Sequence, residues 1–496
     1  MPLAVTSPIF DWDPVNIIDF YAKAKHASGT PLPIPELTNV ICSQTAIDAL
    51  PAVLKSLDQT GKYSVLIVQD KTVMRRATQD LKPYVLQLLE ATGRQVSVLN
   101  LADPAGGKLV TNHTMIAQVR DHIERDQLVL ALGSGCITDI VKHACFESDP
   151  SGDLNIPLIA VQTANSVCAF TSRMAVLTIN GVKRTVPSRM ADVLIMDTQV
   201  LQDAPPLYRT GGLGDVAVAA VSFADLKLAD RLGMGVWNQL AYDSSADIRS
   251  ILLGGDNAIS DSGKTGQEVA GKLLTLAGLA LTLCGDTAPL SGYEHVTSHM
   301  LDMAAKSNGR PVANHGHQCA LASILSLLLF EHVLEQIDNG AIDIAACYPE
   351  DTDMQATIID AFYEIDPSGE AAKECTGDYL EKLSKWRGQR AQFTQFLNDW
   401  KTEKAGLKKH LMPAAQYVAL LDKIGHPLRF EDMETPLSRQ EVRWAFHNAH
   451  LMRKRFTIGD LAYLGGMFDD VVCDKIFDQF DHLTNAITGQ TREETV

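Results

Sequence analysis

The sequence predicts an α/β domain built on a mostly parallel sheet, followed by an all-helical domain. Three observations predict it. Short β-prone apolar runs alternate with stretches of helical periodicity over the first ~200 residues. Strand signal then all but vanishes after about residue 207. Beyond that point Val269–Leu283 and Ala320–Ile337 are apolar nearly all round, as central helices of a bundle are.

In chain order, the strand candidates begin with Tyr63–Gln69 (YSVLIVQ), bounded by Gly61-Lys62 and Asp70. Gln95–Leu101 follows a helical stretch ending at Gly93, and Gln127–Leu132 runs into Gly133. Pro157–Gln162, Val176–Ile179 and Val193–Met196 continue the pattern. Near-continuous apolar strands fit a sheet covered on both faces. Ala204-Pro205-Pro206 breaks the pattern, so the boundary is placed near 203, giving 1–203 and 204–496. Tyr348–Met412 is polar, acidic at its start and basic at its end, and reads as exposed helices; Glu441–Gly466 returns to amphipathic helix.

Composition narrows the function. The chain has 496 residues and a net charge of −17. Long-range repulsion of phosphates makes so acidic a protein a poor nucleic-acid binder, while one local basic pocket could still hold a small anion. The longest apolar runs, Leu273–Cys284 and Cys319–Phe330, reach about a dozen residues against the ~20 a membrane span needs, so both read as buried helices. The N-terminus lacks a basic region and a long apolar core, so no secretory signal is expected. Nine cysteines without a C-x-x-C pair argue for a reducing, cytoplasmic setting rather than a disulfide scaffold.

Two constellations carry chemistry. In LALGSGCITDIVKHA an apolar strand ends in Gly133-Ser134-Gly135 and a helix begins near Thr138. Such a turn presents backbone N–H groups to an anion such as a pyrophosphate, or is simply a tight connection capped by Thr138. Asp70, ending its strand, reads as an acceptor for a ribose hydroxyl or as a turn residue. The second constellation lies in the helical half. SGYEHVTSH puts His295 and His299 one helical turn apart, NHGHQCA puts His315 and His317 before a long buried helix, and GGLGDVAVAA puts Asp215 at the head of an apolar one. Two imidazoles and a carboxylate make a three-ligand set with an open position, suited to Zn²⁺ or Fe²⁺ acting as a Lewis acid. The alternative is a pair of surface helices bearing histidines. No G-x-S-x-G elbow is present.

Taken together and in order, these motifs resemble the iron-containing alcohol dehydrogenase and dehydroquinate-synthase-like superfamily, in its glycerol-1-phosphate dehydrogenase branch. The resemblance covers roughly 40–345 and 440–470. It rests on GSGCITDIVK with Asp139 and Lys142, on QTANSVCAFTS with Thr163, Thr171 and Ser172, and on GVKRTVPSRMADVLIMD with Lys183. It also rests on APPLYRTGGLGD, SGYEHVTSH, the His315-Gly316 pair and NAHLMRKRFTIGDLAYLGG.

The resemblance implies a Rossmann-like NAD(P)-binding domain and a helical metal domain. Cofactor contacts would fall to Asp70, Gly133, Ser134, Gly135, Asp139, Lys142, Thr163, Thr171 and Ser172. Metal ligation would fall to Asp215, His295 and His315, with zinc expected and iron or nickel as alternatives. It further implies a small, phosphorylated polyol substrate such as dihydroxyacetone phosphate, a place in phospholipid metabolism, and a homo-oligomer. His299 would relay a proton or serve a structural role behind the metal. Lys183, Arg209 and Arg310 stand as phosphate-binding candidates or as solvated cations. Three departures from the family pattern stand out: Cys168 stands where an Asp is usual, with Ala169 where Gly is frequent; His317 stands where the family's HGE has its Glu; and Gln162 stands where a proline precedes Thr163. Segment 345–440 is extra length. The other readings the sequence leaves open are a dehydroquinate-synthase-like carbocycle-forming lyase and a non-catalytic homologue.

Overall fold

Six parallel strands form the central sheet: β1 Asn39–Ser43, β2 Ser64–Gln69, β3 Val96–Asn100, β4 Gln127–Gly133, β5 Leu158–Gln162 and β6 Val193–Asp197. Their spatial order is β1-β6-β5-β4-β2-β3, every pairing parallel. In this computed structural model residues 7–29, 32, 36–102, 109–150, 155–179, 182–344, 347–363 and 365–493 are described. Every residue of β4, β5 and β6 is buried, whereas the edge strands β1 and β3 are half exposed. That contrast is why the sequence signal was strong for the central strands and missed β1, five residues of mixed polarity. Met174–Ile179, expected to continue the parallel pattern, instead pairs with Val182–Pro187 in a separate two-stranded sheet. Gly181 lies outside the described residues.

Two compact units form, and they divide the chain differently from a cut at 203. The first is Met1–Ile179, Lys183–Val216 and Leu240–Gly285; the second is Asn180–Val182, Ala217–Gln239 and Asp286–Val496. The sheet unit therefore keeps three helices that matter below: α1 Gly135–Ser148, α2 Pro206–Ala217 and α3 Lys264–Cys284.

Helix α3 belongs with the sheet because it clamps the loop after β5. Thr171 Oγ1 donates to the Thr275 carbonyl (2.9 Å), Thr282 Oγ1 donates to the Thr171 carbonyl (3.0 Å), and Arg173 N–H donates to Thr282 Oγ1 (3.0 Å). The Asn165 amide donates to the Gln267 carbonyl and to Gln267 Oε1. The approach is close enough that a Cβ on Gly278 would lie 2.2 Å from Thr171 Oγ1 and 2.5 Å from the Cys168 carbonyl. An isolated apolar stretch gives no sign of this partner, so the sequence placed the helix in the wrong half.

The second unit is helical throughout its described residues beyond 216, around α4 Tyr293–Ser307 and α5 His315–Asp338. Helices α3 and α5 span 21 and 24 residues, longer than their apolar cores suggested, and are apolar enough by length and composition to cross a membrane. Their most apolar windows are 72% and 78% buried among the protein's own side chains, as core helices are. The helices of Tyr348–Met412 are not simply exposed. Tyr379, Trp386, Phe393 and Phe396 are buried, and Trp386 stacks on Phe456 at 5.1 Å and donates to the Cys347 carbonyl. Residues 345 and 346, where the extra segment was expected to start, lie outside the described residues.

Lys382, from that segment, is buried with its Nζ 2.5 Å from Asp460 Oδ1 and 2.6 Å from the His450 carbonyl. His317 packs edge-on against His426, centroids 4.6 Å apart. Burial brings His317 down to about 4 and, with the neighbouring His317 adding to it, His426 down to about 3.

Two predictions follow from this packing. Gly278→Ala should cost about 1–3 kcal/mol in chemical denaturation, while Gly406→Ala, whose Cβ meets nothing within 4 Å on an exposed helix, should be neutral to stabilising. For His426 the folded value is depressed, so its contribution is complete above the unfolded value of about 6.5 and is lost as pH falls toward 3. Melting temperature should therefore drop between pH 6.5 and 4, and His426→Gln should flatten that drop by up to the slope of one proton.

Candidate metal centre and the loop beside the sheet

The helical unit brings three donors together. His295 and His299 lie one turn apart on α4, His315 is the first residue of α5, and Cys319 follows it by one turn. Asn314 caps α5, accepting from His317 N–H, so His315 and His317 stand in its first turn rather than before it. The donor atoms of His295, His315 and Cys319 lie within 4.8 Å of one another. The His295 and His315 rings are 5.3 Å apart, and His299 and His315 5.6 Å. Cys319 Sγ sits 3.6 Å from His315 Nε2. A nitrogen and a sulfur sharing one tetrahedral zinc, at their usual bond lengths, would be about 3.5 Å apart. The donor set thus fits a divalent metal.

Each imidazole has a different partner at Nδ1. Glu294 Oε1 is 3.0 Å from His295 Nδ1 and also accepts from Gly292 N–H at 2.6 Å. Glu294 is fully buried. Ser298 Oγ is 2.9 Å from His315 Nδ1 and donates to Gln318 Oε1 at 2.6 Å; the Gln318 amide donates in turn to Asp302 Oδ1. Arg453, from the C-terminal motif, donates to His299 Nδ1 at 2.5 Å. Behind Glu294, Asp225 accepts from Tyr293 and Ile458 N–H. Burial, then the charge of Glu294, raises Asp225 well above the ordinary carboxylate range.

In the sheet unit, Asp215 is buried near the end of α2, not at the head of a helix as expected. Its Oδ2 accepts from Cys168 N–H at 3.3 Å. Burial, then the Asp215 charge, pushes the Cys168 thiol well above its ordinary value, so a neutral group stands where an acid is usual in the family. The turn before α1 also departs from expectation. The helix starts at Gly135, and Thr138 does not cap it: its hydroxyl donates back to the Ser134 carbonyl from within the first turn. Ser134 occupies the N-cap position without a side-chain cap bond. A Cβ on Gly135 would lie 2.3 Å from Val167 Cγ2, so this glycine is required by the loop packed on it.

Several residues expected to contact a cofactor bond to the protein's own groups. Lys142 is buried, with Nζ 2.7 Å from Asp139 Oδ1, 2.7 Å from the Ala169 carbonyl and 3.1 Å from the Ser172 carbonyl. Asp139 also accepts from Val176 N–H. The pair pins the loop. Thr163 N–H donates to the Gly133 carbonyl, Thr171 bonds α3 as described, and Ser172 Oγ accepts from Met174 N–H. Asp70 is a turn residue, bonded to Thr72 through both oxygens. Of the basic candidates, Arg209 is buried on the Ile259 carbonyl and Arg310 pairs with Glu441, while Lys183 lies on the strand Val182–Pro187.

Sequence reasoning missed Cys319, Glu294, Ser298 and Arg453. Cys319 was findable, four residues after His315 and so on the same helical face. Arg453 was not, since its partner is 154 residues away.

The family model described as iron-containing alcohol dehydrogenase matches residues 41–205. The glycerol-1-phosphate dehydrogenase of Bacillus subtilis (strain 168) is 26% identical over 308 residues, 62% of this chain and 75% of that protein. Its counterpart from Bacillus licheniformis is 30% identical over 277 residues, 56% of this chain and 66% of that protein. In structure, the chain is similar to glycerol dehydrogenase from Schizosaccharomyces pombe, with TM-score 0.53 at 14% identity, covering 92% and 93% of the two chains. That likeness concerns the fold alone. With the profile match on the sheet unit and relatives of one kind, the chain belongs to the iron-containing alcohol dehydrogenase superfamily, in its glycerol-1-phosphate dehydrogenase branch.

Proposed function

We propose that the protein is a metal-dependent, NAD(P)-linked oxidoreductase that interconverts a small ketone phosphate and its alcohol, such as dihydroxyacetone phosphate and sn-glycerol 1-phosphate. The observation that carries this reading is the cluster of His295, His315 and Cys319 donors in the helical unit. Asp215 is the proposed carboxylate ligand of the same ion. Two imidazoles and a thiol favour zinc, because the soft sulfur ligand suits it. When bound, the ion would polarise the substrate's carbonyl or hydroxyl oxygen.

The nicotinamide dinucleotide is assigned to the sheet unit, with its pyrophosphate at the Gly133–Gly135 turn. The first turn of α1 has no side-chain cap there, so its N–H groups suit an anion. Nine free cysteines suit a reducing compartment, and we place the enzyme in the cytoplasm.

The neutral Cys168 favours one narrower reading, in which the chain keeps the metal and the cofactor but turns over poorly for want of an acceptor at that position. One assay separates the two. Purified protein should contain about one zinc per chain, and reduced-nicotinamide absorbance should fall when dihydroxyacetone phosphate is added. His315→Ala should lose both the metal and at least about 10³-fold in kcat/KM. Metal binding without absorbance change across polyols, their phosphates and ketones would overturn the oxidoreductase reading. A gain of turnover in Cys168→Asp would identify the narrower one.

A further inference from the structure

Three imidazoles crowd one corner of the helical unit, and two are needed as ligands there. An imidazole can offer a metal only a nitrogen that carries no proton, and in the neutral ring the other nitrogen then carries it. The group at Nδ1 therefore decides what Nε2 can do.

Glu294 Oε1 already accepts from Gly292 N–H and, as a carboxylate, can only accept again from His295. His295 Nδ1 thus holds the proton. Ser298 has committed its hydroxyl proton to Gln318 Oε1, so toward His315 Nδ1 it accepts. Gln318 cannot reverse this order, because its amide donates to Asp302 and so orients its carbonyl oxygen toward Ser298. His315 Nδ1 holds the proton too. Arg453 has no acceptor atom, so at His299 the polarity is opposite: Nδ1 receives a hydrogen bond and Nε2 carries the proton.

We propose that these partners sort the three rings: Glu294 and the Ser298–Gln318–Asp302 chain make His295 and His315 ligands through Nε2, whereas Arg453 makes His299 a hydrogen-bond donor toward an oxygen of the polyol phosphate. The assignment of the substrate rests on the function proposed above; the sorting of the rings does not. Arg453 is a positioning residue, acting through His299. It explains how two histidines one turn apart on α4 take different roles, and why His299 neither competes for the ion nor takes a proton through Nδ1.

The test is nitrogen NMR of the full chain labelled at histidine, reading which ring nitrogen is protonated, together with zinc affinity by chelator competition. In the wild type His299 should show Nε2–H, and His295 and His315 Nδ1–H. Glu294→Gln and Ser298→Ala should each weaken zinc binding about 10–100-fold. Arg453→Met should leave zinc affinity within about twofold, release the His299 tautomer, and raise KM for the phosphorylated substrate. Arg453→Lys, which keeps a donor, should restore part of the KM. An Nδ1–H tautomer at His299 in the wild type overturns the proposal without any variant. So does an Arg453→Met protein that folds yet loses zinc as severely as Glu294→Gln. Wild-type protein that takes up no zinc would overturn the metal reading instead, while the tautomer of His299 still reads out the role of Arg453.

Discussion

A ring nitrogen inside a protein cannot borrow a proton from solvent at will, so whatever sits behind it fixes what it presents in front. In this molecule the atoms behind the imidazoles are Glu294, Ser298 and Arg453. The rest of the helical unit is arranged to hold them. Gly292 leaves room for two acids, since a Cβ there would meet Asp225 Oδ2 at 2.4 Å and Glu294 Oε2 at 2.7 Å. The C-terminal motif brings Arg453 and, through Ile458, ties Asp225 in place. Helices that look like generic hydrophobic packing are thus aligned by a few buried polar contacts whose donors and acceptors each have an assigned direction.

The same economy governs the sheet unit. Its loop after β5 has no regular ladder of its own, and its carbonyl and amide groups are met by α3, by Asp215 and by the ammonium of Lys142. A lysine in a motif normally reads as a cation waiting for an anion. Here burial makes an unpaired ammonium costly, and it is met by Asp139 and by the loop's own carbonyl oxygens.

Much of the fold was legible because burial on both faces forces continuous apolar strands, and β2, β4, β5 and β6 were read within a residue or two. The edge strand β3 was read within a residue as well, whereas β1, five residues of mixed polarity, escaped. Helix ends were misjudged at Asp215, which lies near the end of its helix, and at His315, where the Asn314 cap rather than periodicity sets the boundary. At the candidate centre His295 and His315 were evident from spacing. Cys319 and Glu294 were in plain view beside them and were passed over for want of a ligand-spacing argument. His317, expected to matter because an acid is usual there, meets His426 from the extra segment, so the departure and the extra length occur together in one packing contact.

The ammonium of Lys382 carries a consequence for which substitutions the helical unit can absorb. It enters from the helix Glu370–Arg387 and ends on Asp460, in the helix Ile458–Leu464. Replacing either partner alone would strand a charge in a dry interior. The outer face of the helix can change freely, but these two positions can change only together.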